Sequence, residues 1–425
     1  MMKIRPIRQG ILSGIMVSLL LVAGCSSDES AGDSDEVTLV YARGVDTTEG
    51  NAKLIEAFEE EHPNINIKYR EMPSDSGQQH DQYVTTLSGR SAEIDVFDAD
   101  VVWPAEFAQA GYVMGLDRFI EEDNIDMGKY FEGTVDSVTF NGRTWAMPKF
   151  TDAGLLYYRS DIVDEPPETW DELSEMAGNL QGEAGTNFGY VMQANQYEGI
   201  VVNAIEFIHA YGGAVINDVG EVVVDSPEAI EGIRKMTEIA QSDYVPNNIL
   251  NFTELETETA FIQGNTVFAR NWPYMQASSA NEEKSDVAGD VGFSLLPKGD
   301  EQSASTLGGW VTMINKYTEH PEAAWEFVKF MTGKEGQKIS ATVGGTAPTI
   351  KSLYDDEAVK EASPVFANEA FVETLQNAVP RPVTPNYPKI TDIIQIEISK
   401  ALAGDVSPEQ AAQNLQREIE SVVNE

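Results

Sequence analysis

From Val37 onward, short β-type runs alternate with helix-period segments, and this alternation limits the fold more than any other feature of the chain. VTLVYA (37–42), INIKYREM (65–72) and IDVFDAD (94–100) read as strands, rich in β-branched and aromatic residues. Between them, GNAKLIEAFEEEHP (50–63) places Leu54, Ile55 and Phe58 at helical spacing and is stopped by Pro63. DQYVTTLSG (81–89) and EHPEAAWEFVKFMTG (319–333) also read as helices, the second closed by Gly333. SPEAIEGIRKMTEIAQ (226–241) and SPEQAAQNLQREIESVV (407–423) both open with Ser at the cap and Pro at the first helical position. In the second, Gln410 is placed to complete a capping box. The pattern implies an α/β fold with largely parallel sheets. In such folds ligands bind beyond the carboxyl ends of strands. A chain of 425 residues suits two domains or one large one, and no fixed-period internal repeat is visible.

The N-terminus carries Lys3, Arg5 and Arg8 and then an apolar run, Ile11–Ala23. The run is shorter than the ~20 residues that span a bilayer and suits a signal peptide. LVAGC (21–25) resembles a bacterial lipobox, which makes Cys25 the expected lipidation site. Cys25 is the one cysteine of the chain, so it has no disulfide partner within it. Residues 26–36 are Ser, Asp, Glu, Gly and Ala and read as a disordered acidic tether. The mature body is expected outside the cytoplasm, held to the membrane by lipid.

Twenty-eight Lys and Arg stand against 70 Asp and Glu, a formal charge of −42. That balance excludes nucleic acid and anionic headgroups as partners, because both demand a positive footprint. An acidic surface kept for solubility and adaptation to high salt both fit it. The four histidines, His62, His80, His209 and His320, share no metal-ligand spacing. The chain has no phosphate loop, nucleophile elbow or dinucleotide fingerprint. No metal or cofactor is therefore expected. The carboxylates Asp95, Asp98 and Asp100 lack the glycine and distal glutamate of a calcium loop.

What remains is a set of aromatic and polar clusters where strands meet loops. FDADVVWPAEF (97–107) holds Asp100 and Trp103, and WAMPKFTDAGLLYYR (145–159) holds Phe150 and Asp152. QANQYEG (193–199) holds Tyr197 and Glu198, and ARNWPYMQ (269–276) holds Arg270, Trp272 and Tyr274. TLGGW (306–310) holds Gly309 and Trp310, and NAVPRPVTPNYP (377–388) holds Arg381. Carboxylates, amides, Arg and flat aromatics form a set that suits sugars. Carboxylates accept from hydroxyls, Arg donates in a fork, and an indole or phenol face packs on the C–H face of a ring. In an extended WPY segment, Trp272 and Tyr274 would point the same way, with Pro273 restricting the backbone between them.

Along DAGLLYYRSD (152–161), EPPETWDELSEMA (165–177), QYEG, ARNWPYM, TLGGW, AWEFVKFM (324–331) and NAVPRPVTPNYP, the chain resembles the extracellular solute-binding proteins of ABC importers. Within that group it is most similar to the trehalose/maltose-binding proteins. The resemblance covers essentially the whole mature chain. It implies the two-lobed periplasmic-binding-protein fold, type II, with the ligand in an inter-lobe cleft. One lobe would comprise 37–149 and 307–355, the other 150–306 and 356–425, following a signal peptide at 1–24 and a tether at 25–36. Carried over, Asp100 and Asp152 accept from sugar hydroxyls. Trp272 and Tyr274 form a stacking wall, Gly309 presents backbone, Trp310 stacks, and Arg381 donates. Glu49 or Thr47 would contribute from the loop after the first strand, with Phe150 and Tyr197 beside the ligand.

Two positions depart from the family pattern: Phe150 stands in place of a tyrosine, and Gln79-His80 in place of a basic pair. The resemblance implies an α-linked disaccharide or related glucoside as ligand, permease subunits as partners and a monomeric state. A compatible solute such as glucosylglycerol or sucrose fits the departures. A glycoside-active enzyme and a receptor for a polyamine or oligopeptide are the alternatives, since acids and aromatics would serve them as well.

Overall fold

A computed structural model describes residues 36–46, 48–217 and 220–424. The signal-peptide and lipobox segment with Cys25, nearly all of the tether, and Thr47 lie outside the described residues. The strands are β1 (Val37–Gly44), β2 (Ile65–Met72), β3 (Val96–Asp100), β4 (Thr139–Phe140), β5 (Arg143–Thr144), β6 (Met147–Asp152), β7 (Leu155–Arg159), β8 (Phe188–Val191), β9 (Thr266–Asn271), β10 (Val291–Leu295), β11 (Gly308–Ile314) and β12 (Ala347–Pro348). They form a six-stranded sheet ordered β12-β6-β11-β3-β1-β2, a four-stranded sheet ordered β10-β7-β9-β8, and the small β4-β5 pair.

The chain leaves the first sheet at Asp152 and enters the second at Leu155. It returns between Leu295 of β10 and Gly308 of β11. These passages correct the expectation of largely parallel sheets. Among the strand pairs of the described residues, only β1-β2, β1-β3 and β8-β9 run parallel. The strands entering or leaving a passage pair antiparallel: β6 and β3 with β11, and β7 with β9 and β10. A strand that returns from another sheet has no helical crossover to set it parallel.

Helix caps follow local chemistry. Ser226 accepts from the Ala229 amide and Ser407 from the Gln410 amide, each at 3.2 Å. The box expected at Gln410 does not form, because its amide side chain donates forward to Asn414 Oδ1 at 3.0 Å. Complete boxes occur instead at Thr169/Glu172 and Thr253/Glu256, where a glutamate reaches back to the cap amide.

β3 and β6 are buried along their whole length, so polar groups on them need partners. Asp98 finds four. Its Oδ2 accepts from the Tyr41 hydroxyl at 2.7 Å and from Lys149 Nζ at 2.6 Å, and Oδ1 from the Thr312 hydroxyl at 3.1 Å. Arg43 stands 3.6 Å away. One carboxylate thus ties β1, β3, β11 and β6 together two residues before Asp100. Burial pulls the Lys149 ammonium down to about 8. Asp100 ends β3, Asp152 ends β6, Asn271 ends β9 and Gly308 begins β11. These four termini position the site.

Candidate functional site

The register of β11 assembles the first wall. Gly308 pairs with Asp152, Gly309 with Thr151, and Trp310 with both Phe150 and Asp100. The ladder shifts between Trp310 and Val311. Gly309 has φ +109°, and a methyl there would come within 2.3 Å of the Phe150 carbonyl oxygen. Only glycine suits both the conformation and the contact. The half-buried Trp310 is backed edge-to-face by Trp103, with ring centroids 5.6 Å apart. Behind Trp103 lies His80, centroid 5.4 Å away, whose Nε2 is 2.7 Å from Glu106 Oε2.

Asp152 is 9% exposed. The forces on its carboxyl are burial, which raises its pKa well above the usual carboxylate range, attraction from Arg270, which lowers it, and repulsion from Asp100, which raises it. No hydrogen bond from the described residues reaches it. Asp100 differs. Its Oδ1 accepts from Arg381 Nη2 at 2.7 Å, and the Val102 amide lies 3.3 Å from the same oxygen.

Arg381 joins the end of β3 to a helix that follows β8. Its Nη1 donates at 2.7 Å to Glu198 Oε1, at the start of the helix Glu198–Ala210. Glu198 also accepts from the Thr391 hydroxyl at 2.6 Å and from the Tyr387 hydroxyl. Burial raises the Glu198 pKa, with Arg381 pulling it down and Asp100 pushing it up. Burial works against the Arg381 charge, but Asp100, Tyr387 and Glu198 outweigh it and hold the guanidinium protonated. The fork expected to donate to a ligand is therefore occupied by two carboxylates.

The second wall is built on β9. The Arg270 guanidinium lies 4.0 Å from the centroid of the Trp272 ring, a cation–π contact. Arg270 is held in turn by Glu206, at 3.0 and 2.5 Å, with Gln193 Oε1 3.2 Å away. A methyl at Gly308 would come within 2.9 Å of the far edge of the Trp272 ring and 3.2 Å of Asp152 Cβ. The indole edge from the second sheet therefore abuts the first wall beside Asp152.

The extended WPY geometry does not occur. β9 ends at Asn271, the Met275 amide donates to the Trp272 carbonyl at 3.1 Å, and Tyr274 has helical φ/ψ at the cap of the helix Met275–Ser279. The chain turns because Pro273 cannot continue the ladder. Tyr274 is brought instead against the first-sheet side, where a methyl at Gly345 would meet its Cα at 3.8 Å.

The sequence reading missed Glu254. Its Oε2 accepts from the Tyr197 hydroxyl at 2.7 Å, and its Oε1 accepts a long hydrogen bond, 3.4 Å, from Trp272 Nε1. A glutamate in the first helical turn usually faces solvent, so nothing in TELETE marked it. Glu254→Ala is expected to weaken ligand binding about threefold to tenfold, roughly 1 kcal/mol, and to shift the Trp272 contribution to emission. Glu254→Gln, which keeps an acceptor, should largely restore both. Calorimetry with fluorescence differenced against a Trp272 variant checks this; an unmoved spectrum with lost melting temperature would mark Glu254 as a helix-end residue only.

Glu49 is exposed at the cap of the helix Gly50–Glu61 and makes no side-chain cap bond. No described contact brings it to the other site residues. Gln79 is buried, with Oε1 unpartnered and Nε2 against Gly44. Among the described residues no His/Cys/Asp/Glu group could hold a metal.

The sequence profile of the bacterial extracellular solute-binding proteins matches residues 44–338. A probable ABC transporter-binding protein of Deinococcus radiodurans is 32% identical over 367 residues, covering 83% of this chain and 86% of the relative. A maltotriose-binding protein of Pyrococcus abyssi is 25% identical, covering 80% and 71%. The maltose-bound MalE3 of T. maritima superposes with a TM-score of 0.85 at 36% identity, covering 91% of this chain and all of that one. The chain thus belongs to the bacterial extracellular solute-binding protein family and has the two-lobed fold of the maltose-binding proteins.

Proposed function

We propose that this chain is the lipid-anchored receptor of a carbohydrate ABC importer, and that it captures an α-linked disaccharide of the trehalose or maltose type. The observation that carries this reading is Asp152, a nearly buried carboxylate with no hydrogen-bond donor among the described residues, beside the edge of Trp272. Such a group lacks donors that vicinal sugar hydroxyls supply, and the indole offers the adjoining apolar ring face. The maltose in MalE3 and the name of the Pyrococcus relative support the same class. Glucosylglycerol or sucrose is the second choice, favoured by Phe150, which lacks the hydroxyl that a tyrosine would bring.

Binding needs no covalent chemistry. Hydrogen-bonding groups are positioned before the ligand arrives, which lowers the ordering cost. Hinge closure of the two lobes around the sugar excludes water and strengthens each polar contact. The closed shape is what permease subunits would read. Cys25 anchors the mature protein, and the acidic body works as a monomer at the outer face of the membrane.

The test is titration calorimetry of residues 36–425 with trehalose, maltose, sucrose and glucosylglycerol, with glucose as control and an assay for released glucose. Binding of one disaccharide without turnover supports the reading. Turnover would make the protein an enzyme, and silence with every sugar would overturn the class of ligand.

A further inference from the structure

The site's charges do not balance. Five carboxylates, Asp100, Asp152, Glu198, Glu206 and Glu254, surround it, against two guanidinium groups, Arg270 and Arg381. Both guanidinium groups already hold carboxylates, and Arg381 Nε, which has no hydrogen-bond partner, is buried. Arg270 gives two nitrogens to Glu206 and its face to Trp272. Arg381 gives one nitrogen to Asp100 and another to Glu198. Glu254 is engaged only by the neutral Tyr197 and Trp272 donors. Asp152, with most of its surface buried, feels Arg270 only at a distance and has neither a salt bridge nor a hydrogen bond among the described residues.

We propose that the cleft selects its glycoside by charge: an amino-substituted sugar is bound more tightly than its neutral parent, and an acidic sugar is refused. An ammonium placed where a hydroxyl would meet Asp152 adds the attraction of opposite charges to that hydrogen bond, at a carboxylate that no salt bridge or hydrogen bond of the described residues engages. A uronate or sugar phosphate meets the opposite situation. Every guanidinium it could use must first be taken from a buried carboxylate, and the carboxylates left over repel it. The charge of −42 on the whole chain works in the same direction at long range, drawing cations to the protein and slowing the approach of anions. Specificity of this kind rests on a repulsive element as much as on an attractive one.

The inference rests on the reading of the cleft as a sugar site, and the experiment separates the two. Trehalose and maltose, their positional mono-amino-deoxy derivatives and their uronates are titrated into residues 36–425 at neutral pH. The expected result is that at least one amino derivative binds about tenfold or more tightly than its parent, while the uronates bind at least about a hundredfold more weakly. Should a parent bind while every amino derivative matches it or falls below it, charge selection is wrong and the sugar reading stands. A uronate that binds as tightly as its parent overturns charge selection in the same way. If no parent and no derivative binds, the sugar reading fails and takes the inference with it.

Discussion

Trp272→Ala is expected to remove measurable sugar binding while leaving the unliganded protein folded. The indole supplies the apolar ring face of the second wall, and its loss should cost about 3 kcal/mol of binding, roughly a hundredfold in Kd. The fold should survive because the backbone of this turn is held independently of the ring. The Tyr157 hydroxyl donates to the Trp272 carbonyl at 3.0 Å and lies 3.2 Å from the Pro273 carbonyl, and Arg270 keeps Glu206 after the ring is gone. Calorimetry and a thermal melt of the unliganded variant decide the matter. A large fall in melting temperature with binding retained would show that Trp272 is a core residue.

Asp152→Asn should move stability and affinity in opposite directions. Burial raises the native pKa of Asp152 well above the usual carboxylate range. The native protein therefore holds this proton to higher pH than the unfolded chain does. The group's contribution to stability is fully present below the unfolded value and is lost as pH rises through the native one. Above the native value the wild-type protein carries the cost of an unpartnered buried anion. The amide removes it, so the unliganded variant should gain about 1–2 kcal/mol, or roughly 1–2 °C in Tm for a body of this size. Affinity should fall about tenfold to a hundredfold, because hydroxyl donors lose a charged acceptor.

The same sign fixes the pH profile of the wild-type protein. Sugar hydroxyls favour the ionised carboxyl, so binding should release a proton and weaken by at most about tenfold per pH unit below the native pKa. Melts and titrations of both proteins across pH check this. An unliganded variant less stable than wild type above that pKa would mean that Asp152 has a partner in solution.

Much of the fold was legible because it is local. The helix Gly50–Glu61 needed only Leu54 and Phe58 on one face and Pro63 beyond its end, and the serine caps at 226 and 407 needed only their neighbours. Asp100 and Asp152 could be assigned to strand ends for the same reason. Strand direction was not legible, since it depends on how often the chain passes between sheets, and no window of residues records that. Gln410 failed as a box residue because Asn414, one turn on, competes for its amide.

In the site, the chemical types were readable and their partners were not. Residues 269–276 and 306–310 announced an aromatic and glycine-rich surface, because such side chains combine apolar faces with few local structural roles. That Trp272 reaches Gly308, that Glu254 receives its indole, and that Arg381 is already shared by Asp100 and Glu198 depend on contacts between residues up to 281 positions apart. Electrostatics follows the same division. Net charge is a property of composition, whereas the state of Asp152 depends on which neighbours fail to reach it. Helix caps and apolar periodicity are interactions among neighbours and are written in order along the chain. Desolvation and ion pairing act across space, and they take their values only once the two sheets stand on either side of the cleft.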